Sequence, residues 1–422
     1  MPKSVETCDV AIIGGGASGL AAAVCAARAG ARVIVVERDA ACGLPILATG
    51  NGRCNISNES LDPRRYSDDS AARTVFGRGA EERLDAFFAS LGIMTTSTDG
   101  RLYPITRRAE SVRDALLGAC GREGVEVRCG LELVAATRAS GRWRLELSAP
   151  ARPVPARSAD KGDLRRARKA LEACERRPLS IEAASVVVAV GGRSSEACGL
   201  FGLPHNEEEP LLTPIACAAA SQPGALADLD GLRVECMLCL KRDGAAIAFE
   251  SGEVLFRAYG ISGIAAFNLS RRCRPEDVIE LDLFPDRTDS DLESMLRGRE
   301  AALGAFTGDP AWFDGLLARP LAALACASTE GARDRLAAVA GWIHRIPLRV
   351  QGRCEPKQAQ VRRGGVPLAA VELPSCRVAT GGIEGLFVCG EALDMDADCG
   401  GYNLAWAWTT GMNAGAAAAQ TR

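Results

Sequence analysis

The stretch that most restricts what this chain can become is residues 8–37, CDVAIIGGGASGLAAAVCAARAGARVIVVE. Asp9 to Ile13 is an apolar, β-branched run with the length of a buried strand. It enters Gly14-Gly15-Gly16-Ala17-Ser18-Gly19, which satisfies G-x-G-x-x-G at Gly14, Gly16 and Gly19, and then a small-residue helix to about Ala29. Gly30 stops that helix, and Arg32 to Val36 repeats the strand pattern. In such a unit the first glycine permits the tight turn, the second admits a diphosphate close to the backbone, and the third lets helix and strand touch. The first N–H groups of the helix, at Ala17 and Ser18, then face the diphosphate. Glu37 follows the second strand, 23 residues after Gly14, where a carboxylate can accept ribose hydroxyls. Strand, glycines, helix, strand and acid occur in register, so the unit is read as a dinucleotide site and not as an empty turn. The acid favours the unphosphorylated ribose of FAD or NAD over NADP.

A length of 422 residues suggests two or three domains. The formal charge of −3 gives no basis for a nucleic-acid or anionic-membrane partner. The positive charge is nearly all arginine, with five lysines, which reads as genomic bias more than a binding surface. The first strand begins within about seven residues of Met1, leaving no room for a signal peptide. No apolar run has the length of a membrane span. The 17 cysteines are scattered through apolar patterns, as expected of free thiols in a reducing cytoplasm. Cys236 and Cys239 form a lone CxxC, and with only His205 and His344 in the chain they are read as strand residues, so no metal site is expected.

Residues 42–58, CGLPILATGNGRCNISN, read as a loop whose backbone donors and short side chains can follow a ligand. Arg53 there suits an anion or a carbonyl. Cys54 is read as a packing residue in preference to a redox thiol, because no resolving cysteine or activating histidine is near in sequence. Residues 80–91 and 109–120 carry helical periodicity, and Asp99-Gly100 marks a hairpin turn between residues 93–98 and 101–103. Residues 125–128, 131–137 and 143–147 look like a strand meander. From 149 to 177 proline and basic residues dominate, which reads as a surface insertion, partly helical; a nucleic-acid patch is the alternative, without the interleaved aromatics such patches use. Ser185 to Gly192, SVVVAVGG, is a buried strand that returns the chain to the first sheet.

Residues 211–283 alternate as an antiparallel sheet or barrel, and residues 289–341 are helical, with Pro320 at the first position of a helix. His344 falls just beyond that helical stretch and is read as structural. Near the end, GLFVCGE is a strand closing on Gly390-Glu391, followed by Asp394, Asp396, Asp398 and then Cys399-Gly400-Gly401-Tyr402-Asn403 and an alanine-rich helix over 404–419. A carboxylate after a strand-end glycine suits the hydroxyls of a ribityl chain, and a glycine pair opening a helix offers amide donors to a flavin ring. The three aspartates admit a metal reading that no accompanying ligand cluster supports. Tyr402, Trp406 and Trp408 could stack on a substrate, with packing as the default.

These blocks together resemble one family. TGNGRCNISN (49–58), GRLYP (100–104), VLFRAYGISG (254–263), RGGV (363–366) and GLFVCGEALDMDADCGGYNLAWAW (385–408) look like the signature blocks of BaiN/YhiN-type flavoproteins. The resemblance implies an α/β fold: a Rossmann-like FAD-binding domain of the glutathione-reductase type, split by an inserted β-barrel and helical domain. The expected divisions are 1–192 (with 150–180 as the surface insertion), 193–349 and 350–422. It implies FAD, with NAD(P)H as electron donor, and reduction of a conjugated C=C bond such as that of a 3-oxo-steroid or bile-acid intermediate. Carried over by motif, Gly14, Gly16, Gly19 and Glu37 hold the ADP half, while Arg53, Cys54, Gly390, Glu391, Gly400, Gly401, Tyr402 and Asn403 line the flavin half. Ala17, Ser18, Arg38, Gly52, Leu133, Gly191 and Gly192 complete the expected cofactor-binding set. Two departures stand out. Leu44-Pro45 occupies the place of a usual basic pair, and after SVVVAVGG the family's longer loop shrinks to residues 193–199.

The sequence therefore reads as a cytoplasmic FAD-dependent oxidoreductase acting on a small molecule. Tyr103, Tyr259 and Tyr402 are the candidate donors to a substrate carbonyl. An amine or small-molecule oxidase resembling aminoacetone oxidases, a flavin-containing RNA-modifying protein and a catalytically silent flavoprotein are the alternatives. The pattern specifies no oligomeric state.

Overall fold

The computed structural model describes residues 5–152, 161–219, 225–354 and 359–421. They divide into two compact units, Met1–Glu209 with Val361–Arg422, and Pro210–Gln360. The first unit opens with β1 (Glu6–Ile13), α1 (Ala17–Arg28) and β2 (Val33–Glu37). There follow α2 (Leu44–Ala48), β3 (Ser57–Asn58), α3 (Asp69–Phe76), α4 (Ala80–Ser90), the hairpin β4 (Thr95–Thr98) and β5 (Arg101–Pro104), and α5 (Ala109–Arg122). The chain continues through β6 (Glu126–Cys129), β7 (Glu132–Ala139), β8 (Arg142–Pro150), α6 (Lys161–Glu172), β9 (Arg176–Val188), α7 (Ser195–Leu200) and β10 (Asn206–Leu211).

The second unit holds β11 (Ile215–Ala219), β12 (Arg233–Arg242), β13 (Ala245–Arg257), β14 (Gly260–Ser262), α8 (Ile264–Ser270), β15 (Val278–Asp282), α9 (Asp289–Leu303), α10 (Arg319–Ser328), α11 (Arg335–His344) and β16 (Ile346–Arg353). Its six strands close a barrel in the order β11-β14-β13-β12-β15-β16 around Leu238, Val254, Phe256, Ile279, Leu281 and Leu348. Side chains supply several helix starts there: Thr288 and Asp291 form a capping box on α9, and Asp334 accepts from Ala337 N to cap α11.

The first unit resumes with β17 (Val361–Gly365), which pairs with β10, then β18 (Val371–Glu372), β19 (Arg377–Val378), β20 (Leu386–Val388) and α12 (Tyr402–Gln420). Its main sheet runs β18-β19-β20-β9-β1-β2-β6, and from β20 to β6 every pair is parallel. The central strands are apolar on both faces, as in a sheet covered on both sides; Val10, Ile12, Val35 and Val187 are fully buried. Helix α12 lies on α1 with no side chains between the backbones. A Cβ on Gly411 would fall 2.3 Å from Ser18 O, and one on Gly415 2.2 Å from Ala22 O.

Several expectations change. The division falls at 209/210 and 360/361, so residues 193–209, expected in the inserted domain, pack with the first unit, where Arg363 reaches Glu209. Residues 350–360 in turn go with the barrel unit, since β16 runs to Arg353. The expected meander begins at β7, not at residue 125: α5 is a crossover that lays β6 parallel to β2, and only β7, β8 and β9 run antiparallel in succession. Strand β9 starts at Arg176, within the segment expected as insertion, because residues 176–183 pair with β8. Of that insertion, residues 153–160 lie outside the described residues, and α6 supplies its helix. The 42–58 loop contains α2 and a 3-10 turn over Thr49–Gly52. His344 is the last residue of α11 and its Nδ1 lies 2.8 Å from Asp282 Oδ1. Helix α10 starts at Arg319, one residue before Pro320.

Because the α1–α12 contact is backbone against backbone, Gly415→Val is expected to lower unfolding free energy by about 3 kcal/mol, the upper end for overpacking. Urea denaturation measures it. A midpoint unchanged from wild type would mean the helices can part without cost.

Candidate cofactor-binding site

At the end of β1, Gly14 takes φ +105°, and a Cβ there would lie 2.4 Å from Ala189 O at the end of β9. A Cβ on Gly19 would lie 1.9 Å from Gly14 O, so these two glycines seat α1 against the strand ends. Gly16 differs: a Cβ there meets nothing within 4 Å. The N-terminus of α1 thus opens on free space, with first-turn N–H groups that have no acceptor earlier in the helix. That cradle fits a diphosphate. Ser18 offers only its backbone to it, because its hydroxyl packs on the Cys389–Gly390 strand end.

Glu37 is held beside this turn. Its Oε2 accepts from Gly15 N and its Oε1 from Asp39 N, both at 2.7 Å. A carboxylate has about four lone-pair sites, so two remain for ribose hydroxyls. The β6–β7 turn is fastened to the same segment, with Gly130 N on Asp39 O and Leu131 N on Glu37 O. It brings half-buried Leu133 onto the adjoining core, while Arg38 projects to solvent. Asp39 is bound by Arg168 of α6 at 2.9 Å, and that guanidinium holds its carboxyl below the usual range although burial opposes it.

The second half of the site is built where the C-terminal segment meets residues 49–58 and 191–194. Gly390 N donates to Thr410 Oγ1, and a Cβ on Gly390 would strike Ser18 Oγ at 2.4 Å. Glu391 accepts from Arg362 N at 2.6 Å, and burial pushes its carboxyl above the ordinary value. A Cβ on Gly192 would lie 2.7 Å from that carboxyl, so Gly192 leaves room for the acid and its backbone hydrogen-bonds it, while a Cβ on Gly191 would meet nothing within 4 Å. The shortened 193–199 loop is closed by buried Ser194, whose Oγ lies 3.0 Å from both His205 Nε2 and Glu208 Oε1. Glu208 Oε2 is 3.6 Å from Arg362 Nε, placing one guanidinium between two carboxylates.

Gly401, at φ +96°, caps α12 with its α-carbon against the Ser57 backbone; a Cβ would fall 2.3 Å from Ser57 O. Asn55 accepts from Gly401 N (2.9 Å) while donating to Ser57 O and Leu102 O. Asn58 Nδ2 donates to Gly400 O at 3.0 Å. These two asparagines therefore tie the N-terminal loop to the C-terminal helix start. They belonged to the quoted TGNGRCNISN block but not to the expected site residues, because their partners lie more than 300 residues away. Arg362 was also missed, because its partners Glu391 and Glu208 lie on other segments, 29 and 154 residues away. Asn403 turns back on its own loop, accepting from Ala397 N and donating to Ala397 O, both at 2.9 Å, so its side chain orders residues 397–398.

Cys54 is fully buried at φ +54°, and burial pushes its thiol up to about 12. Gly52 and the exposed Arg53 form the adjoining turn, with Arg53 Nε on Gly50 O. The Tyr103 ring lies between the guanidinium groups of Arg53 (5.8 Å) and Arg107 (4.6 Å). Tyr402, 8 % exposed, opens α12, and its carbonyl accepts from Tyr66 Oη at 2.9 Å. Tyr259 belongs to the second unit, after β13. Trp406 and Trp408 are buried with indole N–H groups on Gly390 O and Ile56 O, which is packing. Asp394 accepts from Gly364 N, Asp396 pairs bidentately with Arg363, and Asp398 meets Arg65. Among the described residues no group of three or more His, Cys, Asp or Glu is placed to hold a metal.

Glu37→Ala is expected to weaken FAD by about 1.5–3 kcal/mol, the range for hydrogen bonds to a charged group, read as the dissociation constant in a fluorescence titration. An unchanged constant would place the ribose elsewhere. Cys54→Ser is expected to retain flavin reduction and turnover, since a thiol so buried stays protonated at neutral pH. Loss of turnover with FAD fully bound would make it a chemical participant.

The chain matches the HI0933-like protein Rossmann domain over residues 8–154 and 162–417. It is 32 % identical to the 3-dehydro-bile acid Δ(4,6)-reductase of Clostridium scindens, over 97 % of this chain and 99 % of that protein. It is 24 % identical to the ribosomal RNA dihydrouridine synthase of Escherichia coli, over 96 % of each. The 3-ketosteroid-Δ4-(5α)-dehydrogenase from Rhodococcus jostii RHA1, solved with 4-androstene-3,17-dione, shares the fold at TM-score 0.52 and 14 % identity, covering 99 % and 98 % of the two chains. The chain thus belongs to the HI0933-like Rossmann family of FAD-dependent oxidoreductases.

Proposed function

We propose that this enzyme reduces a C=C bond conjugated to a carbonyl, on a 3-oxo-steroid or similar small enone, with electrons from NAD(P)H. The end-to-end likeness to a bile-acid Δ(4,6)-reductase carries this reading. When bound, FAD supplies the hydride chemistry. The chain's own residues do the rest: the α1 N-terminus and Glu37 hold the ADP half, and Glu391 with the α12 start holds the flavin half. An enone also needs a proton donor as charge develops on its carbonyl. Tyr402 suits that role among the three tyrosines, since it opens α12, the helix start assigned here to the flavin half. The 17 unbridged cysteines support a reducing, cytoplasmic setting; no helix among the described residues is long and apolar enough to cross a membrane.

A second reading is favoured by the dihydrouridine synthases of Escherichia coli and Haemophilus influenzae, at 24 % and 23 % identity. Dihydrouridine is uridine with its C5=C6 bond reduced, and that bond is conjugated to the C4 carbonyl. The reaction type is shared, while the partner is an RNA.

The purified protein is expected to be yellow and to release FAD on denaturation. After anaerobic reduction by NADH or NADPH, mixing with a 3-oxo-Δ4 steroid should restore the oxidised flavin spectrum. Tyr402→Phe should slow that step by about 10²–10⁴-fold, the range for general acid catalysis, with FAD binding unchanged. Reoxidation by ribosomal RNA and not by the steroid would select the second reading. Reoxidation by oxygen alone would sink both in favour of an oxidase.

A further inference from the structure

We propose that Cys42 and Cys129 form a peroxide-sensitive dithiol whose disulfide weakens binding of the cofactor's ADP half. The coupling rests on the reading that Gly14–Gly19 and Glu37 hold that half; the dithiol itself does not.

The two thiols flank the same acid. Cys129 stands opposite Glu37 in the β2–β6 register, and Cys42 ends the segment that leaves Glu37. Their sulfurs are 3.7 Å apart. A disulfide needs about 2.05 Å, so roughly 1.7 Å of closure is required. Cys129 is half-buried and open to a small oxidant, while Cys42 is buried behind it. Cys42 cannot move alone. A Cβ on Gly15 would lie 2.2 Å from its sulfur, so the thiol packs directly on the Gly15 main chain. Gly43 N donates to Gly15 O at 2.7 Å, and Gly15 N donates to Glu37 Oε2 at 2.7 Å. Drawing Cys42 toward β6 therefore shifts both the dinucleotide turn and the ribose acid.

The environment also assigns the roles. Arg113 Nε donates to Cys42 O at 2.8 Å, placing a guanidinium beside the pair. The S–H of Cys42 toward Cys129, with help from Arg113, holds the Cys129 thiol below its usual range. Giving that hydrogen bond and being buried push Cys42 well up. Cys129 is thus the attacking thiolate and Cys42 the resolving thiol. In the first step a Cys129 S–O bond forms as the O–O bond of hydrogen peroxide breaks, and the departing hydroxide takes a proton to become water. In the second the Cys42 sulfur attacks that sulfenic sulfur; the S–S bond forms, the S–O bond breaks, and the oxygen leaves as water with the Cys42 proton. Two thiols and one peroxide yield one disulfide and two waters.

The holoprotein is treated with a few equivalents of hydrogen peroxide, its remaining thiols are alkylated, and the digest is mapped by mass spectrometry. A Cys42–Cys129 linked peptide, lost on dithiothreitol treatment, is expected. Recovery of both as alkylated free thiols while other cysteines oxidise would overturn the dithiol. FAD dissociation constants of the oxidised and reduced protein are then compared, with Glu37→Ala in parallel. A rise of tenfold or more on oxidation is expected, absent in Cys129→Ser. By reciprocity FAD then opposes the disulfide by the same factor, about 30 mV for a two-electron couple. A linked peptide with unchanged FAD affinity, while Glu37→Ala weakens FAD, would overturn the coupling. An affinity unmoved by either would instead sink the placement of the ADP half. Equal loss of FAD in peroxide-treated Cys129→Ser would assign the effect to another cysteine and overturn the proposal.

Discussion

The first unit depends on a contact with no side chains in it. Gly411 and Gly415 let α12 lie against the carbonyl oxygens of Ser18 and Ala22, on the helix whose N-terminus faces the diphosphate cradle. That contact joins the last twenty residues of the chain to its first thirty, across more than 380 positions of sequence. With α12 seated on α1, Gly390 meets Ser18, Gly401 meets Ser57, and Glu391 meets Gly192. Dispersion gains fall off steeply with separation, so a single added methyl at either helix glycine would loosen a whole edge of the site.

A second constraint acts at the opposite end. Glu37, proposed as the ribose acid, orders the turn through Gly15 N–H and the following bend through Asp39 N–H. The acid is thus scaffold in its own right, with Cys129 opposite it in the β2–β6 register and Cys42 3.7 Å from Cys129. The flavin end uses the same economy. Asn55 and Asn58 fix the start of α12, proposed to hold the flavin half, and Asn403 fixes the loop before it.

Local pattern was enough for the βαβ unit, the Asp99-Gly100 hairpin and the helices after residue 289, since each is written within a window of ten to thirty residues; the alternation over 211–283 left sheet or barrel open, and β16, beyond the helices, closes the barrel. Cys54 was read as a packing residue from the lack of partners near it in sequence, and it is fully buried; His344, read as structural, ends α11 beside Asp282. The misplacements share one cause. Strand β6 looked like part of a meander because its direction depends on the α5 crossover, and β9 looked short because residues 176–183 are strand only through pairing with β8. The unit boundaries moved because residues 193–209 are held by β17, a strand some 150 residues further on.

What the sequence determined by itself is the local motifs on offer: a glycine turn opening a helix after a strand, an acid ending the next strand, a Gly-Glu strand end and a glycine pair opening a helix. Each is a property of neighbouring residues, governed by backbone sterics and hydrogen-bond geometry over a few bonds. Only the tertiary structure decided which of these meet, which residues between them are scaffold, and that two cysteines 87 positions apart face each other beside Glu37. Such pairings are set by strand register and helix approach, which sum many weak contacts from distant parts of the chain and leave no mark in any local window.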